Sequence, residues 1–224
     1  MTAEQLQSGT IFLIDKPLDW TSFQVVNNLK YKLKREFKEL PKKFKIGHAG
    51  TLDPKATGLL IICTGKFTKK IPEIQNAPKE YRAEIKIGAQ TESYDTEKPE
   101  ILHKDFSHIT EDFVIRILEK FIGEIDQKPP VFSAIKVDGK RAYDLARAGE
   151  EVKMKSRKTM IFYINKIEID FPLIRFTVGC SKGTYIRSLA HDIGSELGVG
   201  AYLTKLRRTK IGDFLVENAK ILEK

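Results

Sequence analysis

The stretch GHAGTLDPKATGLL, residues 47–60, carries one acidic side chain, Asp53, among glycines and threonines. Aspartate followed by proline commonly ties down a turn by accepting backbone amide hydrogen bonds. A carboxylate in a glycine-rich stretch can also do chemistry, because glycines let a ligand approach the backbone closely. His48 and Lys55 would then keep the acid ionised, as a nucleophile or a base must be. The local pattern leaves both interpretations open.

Arg187 lies in the first turns of a predicted helix, away from its apolar face. A cation there opposes the helix dipole, and a facing carboxylate or phosphate would offset this cost. A solvent-exposed surface arginine is the alternative. Tyr81 opens a strand on its apolar face, and both Tyr81 and Tyr185 are typical of core packing by pattern alone. The Arg207-Arg208 pair could bind phosphates or blunt a sheet edge.

Several catalytic patterns are missing from the sequence. Gly65-Lys66 is followed by Phe67, and Leu60 stands where a phosphate-binding loop requires glycine. We find no dinucleotide fingerprint, no G-x-S-x-G and no H-E-x-x-H, and the four histidines are scattered. We therefore predict no metal and no bound cofactor. Any chemistry must use carboxylates, tyrosine, lysine, arginine or histidine.

The charge balance favours an anionic partner. Lys and Arg outnumber Asp and Glu by 39 to 30 in 224 residues, for a net charge of +9. This favours nucleic acid over a membrane, although a well-solvated surface is the simpler alternative. The polar N-terminus and the lack of a long apolar stretch predict a cytoplasmic protein without a membrane span. Cys63 and Cys180 belong to no metal-ligand spacing, so we expect two buried, reduced thiols.

Apolar spacing and turn residues predict a series of mixed elements. The predicted strands are 11–15, 59–63, 81–87, 159–171, 173–180 and 201–212. The first predicted helix is capped by Thr21 or Ser22 and runs to Phe37. The other predicted helices are 113–121, 141–148 (ending at Gly149) and 183–198. A hairpin is predicted at Asp138-Gly139. Because no regular βαβ rhythm appears, we predict an α+β fold with a mostly antiparallel sheet, in one domain over 1–224.

HAGTLDPKATGLL (48–60) closely resembles the signature of the TruB family of tRNA pseudouridine synthases. Further stretches resemble the family's blocks, in its order, and together they cover most of the chain. They are FLIDKP (12–17), KEYRAEIKIGAQTESYDTE (79–97), KPPVFSAIKVDGKRAYDLARAGEEV (128–152), CSKGTYIRSLAHDIGSELG (180–198) and AYLTKLRRTKIGDF (201–214).

The resemblance implies the pseudouridine synthase fold, a mixed sheet with flanking helices and a central catalytic cleft. It implies a reaction that detaches uracil from its ribose, rotates it and rejoins it through C5, without cofactor or metal. The usual target is uridine 55 in the T-arm stem-loop of tRNA, which would be the partner. We expect a monomer, because no long apolar heptads stand out.

The resemblance also assigns site residues. Asp53 matches the essential aspartate, acting either as nucleophile toward the nucleoside or as base at the ribose, and Arg187 matches the arginine that pairs with it. Tyr81 matches the tyrosine that stacks on the flipped base and helps remove the C5 proton. Asp95 matches an acid that holds the arginine. The remaining matches are supporting positions around the flipped nucleotides: His48, Lys16, Tyr185 and Leu206.

Two departures from the family pattern stand out. Bacterial members usually carry a C-terminal PUA domain that grips tRNA, whereas this chain ends 16 residues after Arg208, so we expect none. The stretch REFKELPKKFK (35–45) is longer than usual, and its four lysines and one arginine either contact phosphates or form a solvated loop.

Two other functions stay open. One is a non-catalytic RNA-binding or RNA-folding module, although such a module needs none of Asp53, Tyr81 and Arg187. The other is the same isomerisation on another RNA.

Overall fold

The computed structural model describes residues 1–133, 136, 137, 139–148, 152 and 154–221. Its helices are α1 (Ala3–Ser8), α2 (Ser22–Glu36), α3 (Ile71–Asn76), α4 (Glu111–Lys120), α5 (Ala142–Arg147) and α6 (Ile186–Glu196), with 3-10 turns at Gly65–Lys70 and Val216–Asn218. Its longer strands are β1 (Ile11–Lys16), β3 (Ala56–Thr64), β4 (Lys79–Ile87), β7 (Gly123–Gln127), β10 (Arg157–Asp170), β11 (Leu173–Cys180) and β12 (Ala201–Ile211). The short strands are β2 (Ile46–His48), β5 (Gln90–Thr91), β6 (Glu100–Ile101), β8 (Lys136–Val137), β9 (Lys140–Arg141), β13 (Phe214–Leu215) and β14 (Lys220–Ile221).

The predicted α+β class with a mixed, mostly antiparallel sheet is confirmed. The chain forms two compact units. The first unit comprises residues 1–81 together with the chain from Leu206 onward, and the second comprises Arg82–Lys205. The single domain over 1–224 stays a prediction.

The sheet of the first unit is organised around β3. β1 pairs with β3 in antiparallel register from Ile11↔Cys63 to Lys16↔Gly58. β12 pairs with β3 in parallel, from Leu206↔Ala56 to Arg208↔Gly58. β2 pairs with the far end of β3, β13 with β12 and β14 with β1. Because β3 has neighbours on both sides, its LLIIC run is buried throughout, as the sequence predicted.

Helix α2 covers one face of this strand. Thr21 is its N-cap and forms a capping box with Gln24, which satisfies two backbone donors that the helix leaves unpaired. One side of the helix buries Val25, Leu29 and Leu33 in a cluster with Leu60 and Ile62 of β3. The opposite face of β3 carries Leu59, Ile61 and Cys63 into a second cluster. These two layers fix the ends of β3, and Asp53 lies just before its first residue.

The second unit contains strands in the order β4, β11, β10 and β7, of which β11, β10 and β7 are antiparallel to their neighbours in this group. β10 and β11 pair from Ile161↔Cys180 to Asp170↔Leu173 and turn at 171–172, as predicted. β10 also pairs with β7. Helix α6 buries Leu189 and Ile193, and its neighbours Ile186, Arg187 and Ser188 are buried as well. This helix carries the predicted site residue Arg187.

Some predicted boundaries were wrong. The helix predicted over 183–198 begins at Ile186, so Tyr185 is its N-cap and Arg187 its second residue. The hairpin is confirmed by the pairing of β8 with β9, although Asp138 itself, like Gly149, lies outside the described residues. Helix α1 was not predicted; its N-cap Thr2 forms a capping box with Gln5. Across the part of the chain that the structure describes, every helix is too short or too polar to cross a lipid bilayer.

Candidate active site

Asp53 lies half-buried in the loop that leads into β3. Its carbonyl accepts a hydrogen bond from the Ala56 N–H at 3.0 Å, which closes a turn. The preceding residue, Leu52, exchanges two bonds with the Ser22 hydroxyl, accepting at its carbonyl at 3.1 Å and donating from its N–H at 2.9 Å. The main chain of Asp53 forms this turn. The loop therefore presents a carboxylate from a fixed backbone.

The ammonium of Lys16 holds the other side of this loop. Lys16 is fully buried, and its Nζ donates to the carbonyls of Pro17 at 2.9 Å, Trp20 at 2.6 Å and Pro54 at 3.3 Å. An ammonium has three donors, and three protein carbonyls receive them. Lys16 thus acts on the loop itself and supplies positive charge beside Asp53.

Burial lowers the pKa of Lys16 from 10.5 to about 8, although its attraction to the Asp53 and Asp19 carboxylates opposes the shift. The group still carries its proton at neutral pH, because a pKa near 8 lies above 7. The cation that neighbours Asp53 is therefore a lysine from the end of β1, 37 residues earlier in the chain.

The predicted partners of Asp53 behave differently. Burial, followed by the nearby Arg208 cation, lowers the pKa of His48, so this imidazole is neutral at neutral pH and supplies no positive charge. Its Nδ1 atom is buried and, within the described residues, lacks a hydrogen-bond partner. Lys55 forms an exposed ion pair with Asp19 at 2.8 Å. The expectation that a charged His48 keeps Asp53 ionised was wrong, because burial favours the neutral ring.

Arg208 binds the main chain of the loop that carries Asp53, at Gly50 and Thr51. Its side chain is 1% exposed, and it donates to the carbonyls of Leu59 at 2.8 Å, Gly50 at 3.0 Å and Thr51 at 3.4 Å. Arg207 is the neighbouring residue of β12, so its side chain points to the opposite face of the strand. It forms an ion pair with Asp15 through two hydrogen bonds, of 3.0 and 2.6 Å. The predicted role in blunting a sheet edge was wrong, because β12 pairs with β3 at these residues. Arg208 is buried and binds protein carbonyls, whereas phosphate binding by Arg207, whose side chain is 38% exposed, stays a prediction.

The glycines of the loop serve the protein's own packing. At Gly58, φ is +100°, and a Cβ there would overlap the main chain of Arg208 on β12. Gly50 has φ of +98°, a conformation that glycine adopts at little cost. The close approach that Gly58 allows is thus between β3 and β12.

Arg187 is buried in the second unit, which excludes the predicted surface alternative. Its side chain is 5% exposed, and Nη1 lies 3.6 Å from Oδ2 of Asp95, whose side chain is 6% exposed. The same nitrogen donates to the carbonyls of Phe132 at 3.0 Å and Ser93 at 3.4 Å. Asp95 Oδ1 accepts from the Glu97 N–H at 2.9 Å. A buried ion pair needs such additional bonds to offset its loss of hydration.

A second contact joins helix α6 to the loop that contains Asp95. The ring of Tyr94 stacks on His191 with centroids 4.0 Å apart and planes inclined by 16°. His191 follows Arg187 by four residues, so the two side chains lie one above the other on α6. Tyr94 has φ of +63°, and its main chain accepts from Leu203 and donates to Thr91, at 2.9 and 3.2 Å. The loop residues that flank Asp95 are thus held by two consecutive turns of α6.

Three other predicted residues have clear positions. Tyr185 exchanges bonds with the Gln127 amide, donating its N–H at 2.7 Å and accepting at its carbonyl at 3.0 Å, and Arg157 lies 4.8 Å from the centre of its ring. Tyr81 is buried in β4, 9% exposed. Leu206 in β12 pairs with Ala56, three residues after Asp53, and accepts from the Thr57 hydroxyl at 3.5 Å.

Two groups of predicted residues therefore come together. Lys16 and Asp53 are neighbours in the first unit, where His48 lies near Arg208, and Asp95 pairs with Arg187 in the second. Tyr94 and His191 were not predicted as site residues, and the bonds of Arg208 and Ser22 to the Asp53 loop were not predicted either. A signal existed for Arg208: neighbouring residues of a strand point to opposite faces, so Arg207 and Arg208 cannot both face outward from a covered sheet.

Comparison with known proteins identifies the family of this chain. The N-terminal domain of TruB family pseudouridylate synthases matches residues 34–186, and the tRNA pseudouridylate synthase B C-terminal domain matches 187–223. The chain belongs to the TruB family. It is 58% identical over 219 residues to tRNA pseudouridine synthase B of Flavobacterium johnsoniae, covering 98% of this chain and 95% of that relative. The same-named protein of Parabacteroides distasonis is 52% identical over 210 residues, covering 94% and 88%.

Solved structures of larger complexes share the fold. A chain in the crystal structure of a Cbf5-Nop10-Gar1 complex is 34% identical with a TM-score of 0.74, and the match covers 99% of the present chain and 55% of that one. A chain of an H/ACA RNP bound to a substrate RNA containing 2′-deoxyuridine is 31% identical with a TM-score of 0.69, covering 96% and 51%. This TruB family chain thus spans about half the length of those chains.

Proposed function

We propose that this TruB family chain is a tRNA pseudouridine synthase that converts uridine 55 in the T arm of tRNA to pseudouridine. The proposal depends mainly on one observation: 58% identity to a curated tRNA pseudouridine synthase B over 98% of this chain. The position of Asp53 supports it, because the carboxylate comes from a loop that Lys16, Ser22 and Arg208 hold in place. Such fixed geometry is what a nucleophile or a base requires.

The proposed reaction is balanced within one nucleoside. The C1′–N1 bond breaks and a C1′–C5 bond forms, while C5 loses its proton and N1 gains one. Nothing is oxidised or reduced, so we expect turnover without cofactor or metal. Asp53 acts as nucleophile toward the nucleoside or as base at the ribose, and both roles stay open.

The target nucleotide must leave the base stack before this chemistry, at a cost of a few kcal/mol. In the proposed complex Tyr81 stacks on the flipped base, which offsets about 1–3 kcal/mol, and helps remove the C5 proton. Asp95 orients Arg187, as their buried ion pair suggests. The pairing of Arg187 with Asp53 joins residues of different units and stays a prediction from the family resemblance.

The other supporting roles follow from the contacts of each residue. Lys16 keeps the Asp53 loop in place and adds positive charge. His48, Tyr185 and Leu206 are proposed to border the flipped nucleotides. The net charge of +9 would hold the RNA through its phosphates. We further propose that the protein acts as a monomer in the cytoplasm, where tRNA is modified.

Tritium release from a T-arm stem-loop containing 5-tritiated uridine tests the function. We expect release by the wild type and none by Asp53→Asn, which should still bind the stem-loop. Asp105→Asn is a matched control, because Asp105 is an exposed carboxylate that accepts bonds from Ser107. Full activity of Asp53→Asn would refute the assigned role.

The same assay separates the alternatives. Stem-loop binding by the wild type without tritium release under any condition would favour a non-catalytic RNA-binding module. Mapping pseudouridines in a strain that lacks the gene would show whether position 55 of tRNA or a site in another RNA loses its modification.

A further inference from the structure

A positively charged groove lies in the first unit, between the chain that precedes β2 and the 3-10 turn that follows β3. Lys43, Lys45, Lys66 and Lys69 line it, together with Phe44 and Thr68. Acidic side chains are missing from the lining among the described residues. All four lysines are exposed, so their ammonium groups face solvent.

The backbone of both walls is well anchored. Phe44 is 4% exposed and packs into the cluster beneath α2. The carbonyl of Lys45 accepts from the Gly65 N–H at 2.9 Å, which ties one wall to the other. Lys34 donates to the carbonyl of Lys42 at 2.8 Å, and the Thr68 hydroxyl donates to the Gly65 carbonyl at 2.8 Å. The lysines are thus presented from a fixed surface and do not belong to a freely solvated loop.

The charge of this surface is almost entirely of one sign. Residues 38–45 and 65–70 together contain seven lysines and one glutamate. Lysine ammoniums are strongly hydrated point charges, which suit the spaced phosphates of a nucleic acid backbone and do not read base sequence. The chemistry of the groove therefore fits a polyanion and carries no sequence preference of its own.

The groove lies far from Asp53 along the sheet. β3 starts at Ala56, whose N–H binds the Asp53 carbonyl, and ends at Thr64, next to Gly65 in the groove. Eight steps of about 3.3 Å put the two ends about 26 Å apart. A hairpin of about five base pairs is only about 15 Å long, at about 3 Å per pair. The paired stem of a bound T arm is therefore shorter than the separation between Asp53 and the groove.

We infer that this lysine groove binds the sugar-phosphate backbone of tRNA outside the T-arm stem-loop. The inference rests on the proposed function, since it takes tRNA as the substrate. The inference gives a role to the lengthened segment 35–45 before β2. This segment holds the remainder of the tRNA while the T loop lies at Asp53. Because the contacts are to phosphates, their contribution should depend strongly on salt.

Direct binding measurements test the inference without reference to turnover. The test variant is Lys43→Gln/Lys66→Gln/Lys69→Gln, and the control is Lys120→Gln/Lys166→Gln/Lys220→Gln, which removes the same charge at exposed positions outside the groove. Dissociation constants are measured by filter binding for full-length unmodified tRNA and for the isolated T-arm stem-loop at several salt concentrations. Thermal unfolding of each variant checks the fold.

We expect the groove variant to bind full-length tRNA at least about tenfold more weakly, with stem-loop binding changed less than about twofold. The slope of log affinity against log salt for full-length tRNA should become shallower by about two to three, since about one counterion is released per phosphate contact. Unchanged tRNA binding, an equal loss for both RNAs, or an equal loss in the control would overturn the inference. If the wild type released no tritium, this would contradict the proposed function and would leave the binding test of the groove unaffected.

Discussion

Arg187 Nη1 lies 3.6 Å from Oδ2 of Asp95, with both side chains about 95% buried. Two main-chain carbonyls, of Phe132 and Ser93, share the guanidinium. Removing the charge of one partner of a buried ion pair is far more destabilising than replacing both partners, because the remaining charge stays buried without compensation. This relationship connects the stability of the second unit to the orientation of a proposed catalytic cation.

Asp95→Asn should lower both stability and turnover. The asparagine can still accept from the Glu97 N–H, so the loss is mainly one of charge, and we expect about 3 kcal/mol of destabilisation. In a double-mutant cycle with Arg187→Gln, measured by urea unfolding, the two losses should fall short of additivity by at least about 1 kcal/mol. Additive losses would show that the pair is not coupled.

Tyr94 is expected to act as a positioning residue through its stack on His191. Tyr94→Ala removes a contact that contributes about 0.5–1.5 kcal/mol and frees the residue next to Asp95. We expect kcat for tritium release to fall about tenfold with KM changed less than about twofold. Tyr94→Phe preserves the ring and should retain kcat within about twofold. An equally impaired Tyr94→Phe would rule out stacking as the reason.

Lys16 should make stability rise with pH between about 8 and 10.5. In this interval the unfolded chain holds the Lys16 proton that the folded chain has released, so stability increases as protons are withdrawn. The gain relative to Lys16→Met should reach about 2 kcal/mol, by urea unfolding at pH 7.5 and 10. Activity should instead decline above pH 8, because a neutral amine has too few donors for three carbonyls. A flat difference between the two proteins would contradict the burial of a charged Lys16.

Asp192 should destabilise the fold at neutral pH. Burial raises its pKa from 3.8 to about 6, so the folded chain holds a proton there that the unfolded chain has lost, and stability falls as pH rises through this interval. Because the carboxyl is partly exposed, we expect Asp192→Asn to gain only about 1–2 kcal/mol at pH 7.5. At pH 4 the gain should be smaller. The same gain at both pH values would exclude titration of Asp192 as its cause.

Gly58→Ala should damage the first unit more than its unusual φ alone explains. Gly58 and Gly198 both have positive φ, +100° and +78°, but only at Gly58 would a Cβ meet another strand. Gly198→Ala is therefore a matched control that reports the backbone cost of about 1 kcal/mol. We expect Gly58→Ala to cost at least about 2 kcal/mol more by thermal unfolding. Equal costs would mean that β3 and β12 can separate there.

Local features of this molecule were readable from the sequence, and distant pairings were not. The cap of α2 could be predicted because Thr21 and Gln24 are three residues apart, and the β10–β11 hairpin because its strands are contiguous. Arg208 binds the carbonyl of Leu59, 149 residues earlier, and no periodicity reports such a contact.

The candidate site followed from the family resemblance more than from residue patterns. The helix position of Arg187 indicated a facing acid or phosphate, but only the resemblance named Asp95. The neutral state of His48 depends on burial by the folded chain, which composition does not reveal.

The two cysteines also divide between the units, Cys63 in β3 and Cys180 in β11, and each is at most 1% exposed. Burial raises the pKa of the Cys63 thiol, so the native chain should react slowly with alkylating reagents at either sulfur. Each unit therefore carries its own intrinsic label. Pulsed alkylation followed by peptide mass analysis can time the opening of one unit independently of the other, without any engineered probe.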